Sequence, residues 1–400
     1  MTKKLAARLA AVAPSATLAI NARAQELRAQ GVDVISFGAG EPDFDTPENV
    51  REAGRRAIAE GKTRYTPVSG IPELRRLIAE ISTAQRGVTV TAENVTVTVG
   101  AKGALFNLAL ALFEEGDEVV IPTPCWVSYP EQVRLAGATP VFVPSTLDTG
   151  WKVTPEALSA ALTPRTKAVL FCSPSNPTGA AYTEAELRVL AEVLRPHDCW
   201  IVADEIYGAL VYDGFVQRSI LAVAPDLVDR TVIVDGASKT FAMTGWRVGW
   251  SIAPVALARA MDIIQGQGAT STATFCQWAT LEALRSPPTE FARMRALFEE
   301  RRNRLVLGLR ALPGVRCGLP EGAFYAFPDV SAWLGKRTPM DHELRDDTDI
   351  AAWLLDATHV AVVPGSAFHA PGHLRLSYAV GLQSIDEALR RIAGAVETLV

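Results

Sequence analysis

Short apolar runs rich in β-branched residues recur through the middle of the chain, and most are followed by a stretch with helical spacing of its apolar positions. The runs are NVTVTVG (94–100), EVVIPTP (118–124), PVFVP (140–144), KAVLFCSP (167–174), CWIVADE (199–205), TVIVDGAS (231–238) and VGWSIAP (248–254). Amphipathic segments such as TEAELRVLAEVL (183–194) lie between them. Strands that are apolar almost throughout are buried on both faces, the pattern of a mainly parallel sheet between helices. The expectation is an α/β protein whose large domain is built on a seven-stranded sheet.

Beyond residue 254 the texture changes. Long helical stretches dominate, including FARMRALFEERRNRLVLGLRAL (291–312), whose charges form a solvated face. Two short strand-like pieces follow, GAFYAFP (322–328) and HLRLSYA (373–379), separated by a polar loop at 335–349. A last helix is predicted over 385–400. This part is expected to form a smaller α+β domain.

Composition narrows the function classes. A hydrophobic share of 48%, a charged share of 21% and a net charge of -5 describe an ordinary globular chain. No long basic run appears, so no nucleic-acid partner is expected. Five scattered cysteines without a CxxC pair argue against a disulfide framework or a metal site and for a reducing compartment. Cys125 alone sits in a stretch with other candidate functional residues. In the N-terminal MTKKLAARLAAVAPSATLA, Arg8 and Pro14 interrupt the apolar run, so it is expected to be an arm or short helix of the mature chain, not a signal peptide. No apolar stretch approaches the roughly 20 residues of a membrane span, so a cytoplasmic setting is expected.

In doubly wound folds, functional groups gather just past the C-terminal ends of strands. Lys239 stands there, after TVIVDGAS, among small and apolar neighbours that would partly desolvate its amine and free it for covalent chemistry. Arg247 follows eight positions later, a permanent cation suited to phosphate, and Ser238 offers a hydroxyl beside Lys239. Asp204 ends CWIVADEIY, with Tyr207 close behind. An acid at the tip of an apolar strand is costly without a partner, and a protonated ring nitrogen of a cofactor is one such partner. SPSNPTG (173–179) specifies a rigid bend that would hold the Asn176 amide still. Gly100, Ala101 and Lys102 open a helix whose first N–H groups suit a phosphate. Trp126 could stack on a planar ring. Arg375 alternates with Leu374 and Leu376 and could clamp a substrate carboxylate.

Each feature also has a plainer reading. Lys239 could be structural, Asp204 part of a helix-capping pair, SPSNPTG a turn, Trp126 core and Arg375 half of a surface ion pair. Only the combination points to one user: a cofactor that needs a lysine, a phosphate seat, an acid for its ring nitrogen and a partner for its ring oxygen.

The chain resembles the fold-type I, class I aminotransferases, within them the bacterial aspartate aminotransferases. The likeness runs nearly end to end, through PSATLAINARAQELRAQGVDVI, GAGEPDFDTPE, RYTPVSGIPELR, SPSNPTGA, DEIY, SKTFAMTGWRVGW, GAFYAF, VVPG and HLRLSYA. It implies pyridoxal 5'-phosphate held covalently by Lys239, with Asp204 at its ring nitrogen and Asn176 and Tyr207 at its ring oxygen. Gly100, Ala101, Lys102, Ser238 and Arg247 would take the phosphate, with Tyr65 reaching across from the partner subunit of a homodimer. Gly40, Trp126, Asn176 and Arg375 would bind substrate. It further implies that Ser15, Thr17 and Lys102 read a distal carboxylate, which favours L-aspartate with 2-oxoglutarate. Relatives acting on prephenate tend to carry a lysine just before the PSAT segment, where this chain has Ala13. The implied domains are 46–285, and 1–45 together with 286–400. A broader, aromatic or alanine aminotransferase and a β-lyase would share the lysine, acid and arginine. A PLP-binding transcription regulator would need a basic helix-turn-helix domain ahead of residue 40.

Overall fold

The computed structural model describes residues 6–13, 16–287 and 289–400. Seven strands form one sheet: β1 (Val95–Val99), β2 (Glu118–Thr123), β3 (Thr139–Pro144), β4 (Thr166–Cys172), β5 (Trp200–Asp204), β6 (Thr231–Gly236) and β7 (Val248–Ile252). Each of the seven apolar runs became a strand. Their spatial order is β1-β7-β6-β5-β4-β2-β3. Neighbours from β6 through β3 pair in parallel, whereas β7 runs antiparallel to both β1 and β6. The sheet is therefore mainly parallel with one reversed strand.

Alternation along the strands explains the two apolar layers. On β5, Val202 joins one cluster while Ile201 and Ala203 join the other. β6 repeats the pattern, with Val232 and Val234 on the first side and Ile233 on the second. Helices close both faces. The helix Glu184–Leu194 begins at a Thr183–Glu186 capping box and buries Leu187, Leu190, Ala191 and Leu194 against the second layer. Pro72–Arg86, with Pro72 in its first turn, ends where Gly87 turns left-handed at φ 70°.

The last third of the chain builds a three-stranded antiparallel sheet from Tyr325–Ala326, Val363–Pro364 and Leu374–Ser377. Ile35–Ser36 pairs in parallel with Val360–Ala361, so an early segment joins this late part. The helices Ala16–Ala29, Thr289–Arg310 and Leu382–Val396 accompany it. The C-terminal ends of β1, β2, β4, β5 and β6 all open toward one cavity between this part and the large sheet.

Candidate active site

The cavity holds about 590 Å³ and is lined by Gly40, Ala101, Lys102, Trp126, Asn176, Asp204, Tyr207, Ser238, Lys239, Arg247 and Arg375, among others. Eleven residues singled out in the sequence thus meet in one space, although they lie as far apart as 40 and 375 along the chain.

β6 delivers Lys239. After Gly236 the chain enters the short helical turn Ala237–Thr240, which carries Ser238 and Lys239. The Lys239 Nζ donates to the Gly40 carbonyl oxygen. Burial pushes its amine down to about 8, and Arg247 and Arg375 add to the shift against the pull of Glu41 and Asp204. An amine so placed is a base near neutral pH.

β5 delivers Asp204, which is 3% exposed. Its carboxylate accepts from the Tyr129 hydroxyl at 2.7 Å and from the Ile206 N–H at 3.1 Å. Burial raises it to about 6 in spite of those donors. It has two neutral donors and, among the described residues, no ion-pair partner. A cationic ring nitrogen would satisfy such a group.

The reversed strand explains Arg247. Because β7 runs the other way, its first end lies beside the C-terminal ends of β1 and β6. Arg247 precedes it in a left-handed conformation at φ 55° and donates to the Thr244 carbonyl at 2.9 Å. Its guanidinium lies against Gly100, where a Cβ would sit 2.6 Å from Nη2. Gly249 is tighter still, for a Cβ there would come within 2.2 Å of the Ala101 nitrogen. The two glycines let the N-terminus of the helix Gly100–Leu112, β7 and Arg247 close on one point. Backbone N–H groups, an arginine and Ser238 make a donor set that could hold a phosphate.

Lys102 is an exposed residue that points its Nζ over the Trp126 ring at 4.8 Å, and partial desolvation of the amine together with Arg247 lowers its pKa. Arg375 is 2% exposed and is no surface ion pair. Its Nη1 donates to Asn176 Oδ1 at 3.2 Å and its Nη2 to the Gly38 carbonyl at 2.9 Å, while Nε is buried without a partner. The guanidinium lies between the rings of Tyr325 and Phe368, at 4.7 and 5.1 Å. An arginine held by neutral acceptors and aromatic faces keeps its charge for a carboxylate.

Other expectations fared differently. Tyr65 is 89% exposed and lies outside the cavity. Ser15 is outside the described residues, and Thr17 is placed only by its backbone, in the helix Ala16–Ala29. Cys125 is not a cavity residue. It is buried behind the wall, its N–H donates to the Phe368 carbonyl at 3.1 Å, and burial raises its thiol pKa. Cys172, at the end of β4, lines the cavity instead. Two further residues were missed. Tyr129 holds Asp204, and Tyr325 lies 2.9 Å from Tyr207, hydroxyl to hydroxyl. Their signal was proximity in sequence, since Tyr129 is three positions after Trp126 and Tyr325 lies within GAFYAF. Among the described residues, no cluster of His, Cys, Asp or Glu could hold a metal ion.

The donor set fits pyridoxal 5'-phosphate: a buried acid with no ion-pair partner among the described residues, an anion seat that side chains at Gly100 or Gly249 would fill, and a half-buried lysine in the same cavity. With the strand topology, this geometry defines a pyridoxal-phosphate enzyme. A family model for aminotransferases of class I and II matches residues 32–392. An aspartate/prephenate aminotransferase of Cereibacter sphaeroides is 49% identical over 96% of each chain. The aspartate aminotransferase of Geobacillus stearothermophilus is 46% identical over 97% of this chain and 98% of its own. Among solved structures, the aspartate aminotransferase of Rhizobium meliloti superposes with a TM-score of 0.96 at 43% identity, covering 100% of both chains. That of Thermus thermophilus with maleate gives 0.92 at 46% identity, covering 98% of this chain and 100% of its own. The chain belongs to the class I and II aminotransferase family. It is an aminotransferase, and pyridoxal 5'-phosphate is its cofactor.

Proposed function

We propose that this chain moves the amino group of L-aspartate to 2-oxoglutarate, forming oxaloacetate and L-glutamate in two ping-pong half-reactions at one site. The observation that carries the reading is that two of the cavity's cations, Arg375 and Lys102, have no carboxylate partner among the described residues. Two separate cations suit a dicarboxylate, whereas an apolar side chain would leave Lys102 facing the cavity with no charged partner. The names of the relatives support the same substrate.

Bound pyridoxal phosphate supplies an electron sink that makes the Cα proton of the amino acid removable. The chain supplies the rest. Arg375 takes the α-carboxylate in a bidentate grip, and Lys102, with Ser15 and Thr17, takes the distal one. Asp204, oriented by Tyr129, keeps the ring nitrogen protonated. Asn176 and Tyr207 hold the ring oxygen, Trp126 covers the ring face, and Gly40 presents its backbone to substrate. Ser238, Arg247 and the 100–102 turn hold the phosphate. With the cofactor bound, the Lys239 amine, partly unprotonated near neutrality because burial lowers its pKa, would take and carry the Cα proton.

The division into 46–285, and 1–45 with 286–400, is supported by the pairing of Ile35–Ser36 with Val360–Ala361. A homodimer in which Tyr65 reaches the partner's phosphate is supported by that ring's exposure. A cytoplasmic setting accords with five free cysteines and with the absence, among the described residues, of a helix able to cross a membrane.

The Cereibacter relative's name adds prephenate. Here Ala13 offers no cation, and its N–H donates to Glu131 at 3.0 Å, so prephenate is the poorer acceptor in this reading. A stopped-flow half-reaction with a panel of amino acids, following the cofactor absorbance, tests the whole proposal. Aspartate and glutamate should react fastest. Equal rates with alanine or tyrosine would overturn the specificity, and release of ammonia without an oxo-acid acceptor would mark a lyase.

A further inference from the structure

Tyr325 enters the cavity from the segment Gly322–Ala326, and nothing above gives it a role. Its hydroxyl lies 2.9 Å from that of Tyr207, and its ring carries the Arg375 guanidinium at 4.7 Å. Arg375 in turn donates to Asn176 at 3.2 Å. Tyr207, Tyr325, Arg375 and Asn176 therefore form an unbroken run of contacts. At its two ends stand the residues assigned to the cofactor ring oxygen, and in its middle the cation assigned to the substrate carboxylate.

The position is built with care. Ala323 adopts a left-handed conformation at φ 56°, unfavourable for a residue with a Cβ and kept only where the surroundings over-determine it. Its carbonyl oxygen accepts from two buried hydroxyls, those of Tyr212 and Tyr378, and its N–H donates to the Leu210 carbonyl at 2.9 Å. Arg302 stacks on Tyr212 at 4.9 Å and donates to the Pro320 carbonyl at 2.8 Å. The turn that aims Tyr325 is thus clamped from both sides.

We propose that Tyr325 is a positioning residue that couples the substrate-carboxylate cation Arg375 to the Tyr207 hydroxyl at the cofactor ring oxygen. This rests on the function proposed above. Among the described residues the two hydroxyls have only each other as hydrogen-bond partners and either can donate; in the proposed arrangement Tyr325 donates to the Tyr207 oxygen. That leaves the Tyr207 proton for the ring oxygen, and a hydroxyl that accepts one hydrogen bond donates a stronger one. The face of the same ring holds the guanidinium flat, ready for a carboxylate.

Two variants of the cofactor-loaded enzyme separate the halves. Tyr325→Phe keeps the ring and removes the hydroxyl. With a weaker donor the cofactor ring oxygen becomes more basic, so the pH midpoint of the visible absorbance should rise by roughly 0.3–0.7 unit. Binding of maleate, followed by the same absorbance, should stay within about twofold, since the cation–π contact survives. Tyr325→Leu should show the same rise and also bind maleate roughly 3–30-fold more weakly. A purely structural role would lower the melting temperature and leave both readouts where they were. An unmoved midpoint in Tyr325→Phe overturns the proposal, as does equal maleate affinity in the two variants. If Tyr325→Leu does not fold, the midpoint in Tyr325→Phe decides alone. A wild-type enzyme whose absorbance aspartate does not change would sink the proposed function, while the midpoint comparison would still decide the coupling.

Discussion

Arg86 and Glu205 meet at 2.6 Å inside the protein, one residue beyond Asp204 and on the side of the sheet covered by the helix Pro72–Arg86. Their side chains are 5% and 10% exposed. The pair ties the end of that helix to the tip of β5, so it steadies the strand end that carries Asp204 from behind. Removing one member leaves a buried charge alone.

Arg86→Leu should therefore destabilise the cofactor-free chain by about 3–5 kcal/mol in chemical denaturation. The double variant Arg86→Leu with Glu205→Leu should recover most of that loss, because the carboxylate that Arg86 pairs is removed with it. Equal stability of the single and double variants would show that the pair is not coupled.

Lys239 makes stability depend on pH. Its folded amine titrates at about 8, below the ordinary lysine value, so between the two the unfolded chain binds more protons and stability rises with pH. Below that window both states are protonated and the cost of burying the ammonium is fully present. Lys239→Met removes the cost. Without cofactor, its melting temperature should exceed the wild-type value at pH 7, with the gap closing as pH rises from 8 to about 10. A gap independent of pH would contradict the shift. With cofactor, the same variant should lose at least roughly 10²–10⁴-fold in turnover.

Lys102→Ala tests how the substrate is read. Losing a charged hydrogen bond to the distal carboxylate costs about 1.5–3 kcal/mol, so kcat/KM for aspartate should fall roughly 10–150-fold. The value for alanine should hold or rise. Steady-state kinetics with both amino acids decide it, and an unchanged aspartate value would remove Lys102 from the substrate site.

The phosphate seat depends on two glycines. Gly100 has φ +73°, and a Cβ there would sit 2.6 Å from the Arg247 Nη2, the end of a side chain that can shift. Gly100→Ala should fold and lose cofactor affinity by roughly tenfold, about 1.4 kcal/mol, through strain and a displaced arginine. In Gly249→Ala the Cβ would meet the Ala101 nitrogen at 2.2 Å, and backbone cannot give way cheaply. That variant should show a sharply lower melting temperature. Cofactor retained after dialysis and a thermal melt separate the two outcomes.

Much of the fold was legible. The run KAVLFCSP became Thr166–Cys172, and the segment 183–194 became the helix Glu184–Leu194 behind its Thr183 cap. The reversal of β7 was not, because a strand buried on both faces is apolar whichever way it runs. The site divided along similar lines. Lys239, Asp204, Asn176 and Arg247 stood out as polar groups at strand ends. Tyr129 and Tyr325 did not, because an aromatic residue in an apolar stretch looks like core until its hydroxyl finds a partner.

By itself the sequence determined where strands and helices lie to within a few residues, because turn chemistry, caps and the period of apolar positions act over that range; the helix expected over 385–400 runs from Leu382 to Val396. The sequence also carried the motifs that place the chain in its family. Tertiary structure alone decided which polar groups share a low-dielectric space. It buried Arg375 beside Asn176 and Tyr325, put Cys125 behind the wall and Cys172 on it, and brought the Gly40 carbonyl to Lys239. Alternation along a strand tells which side a residue faces. What lies opposite comes from segments hundreds of positions away, and it is that neighbour which sets burial, pairing and the proton affinity of each group.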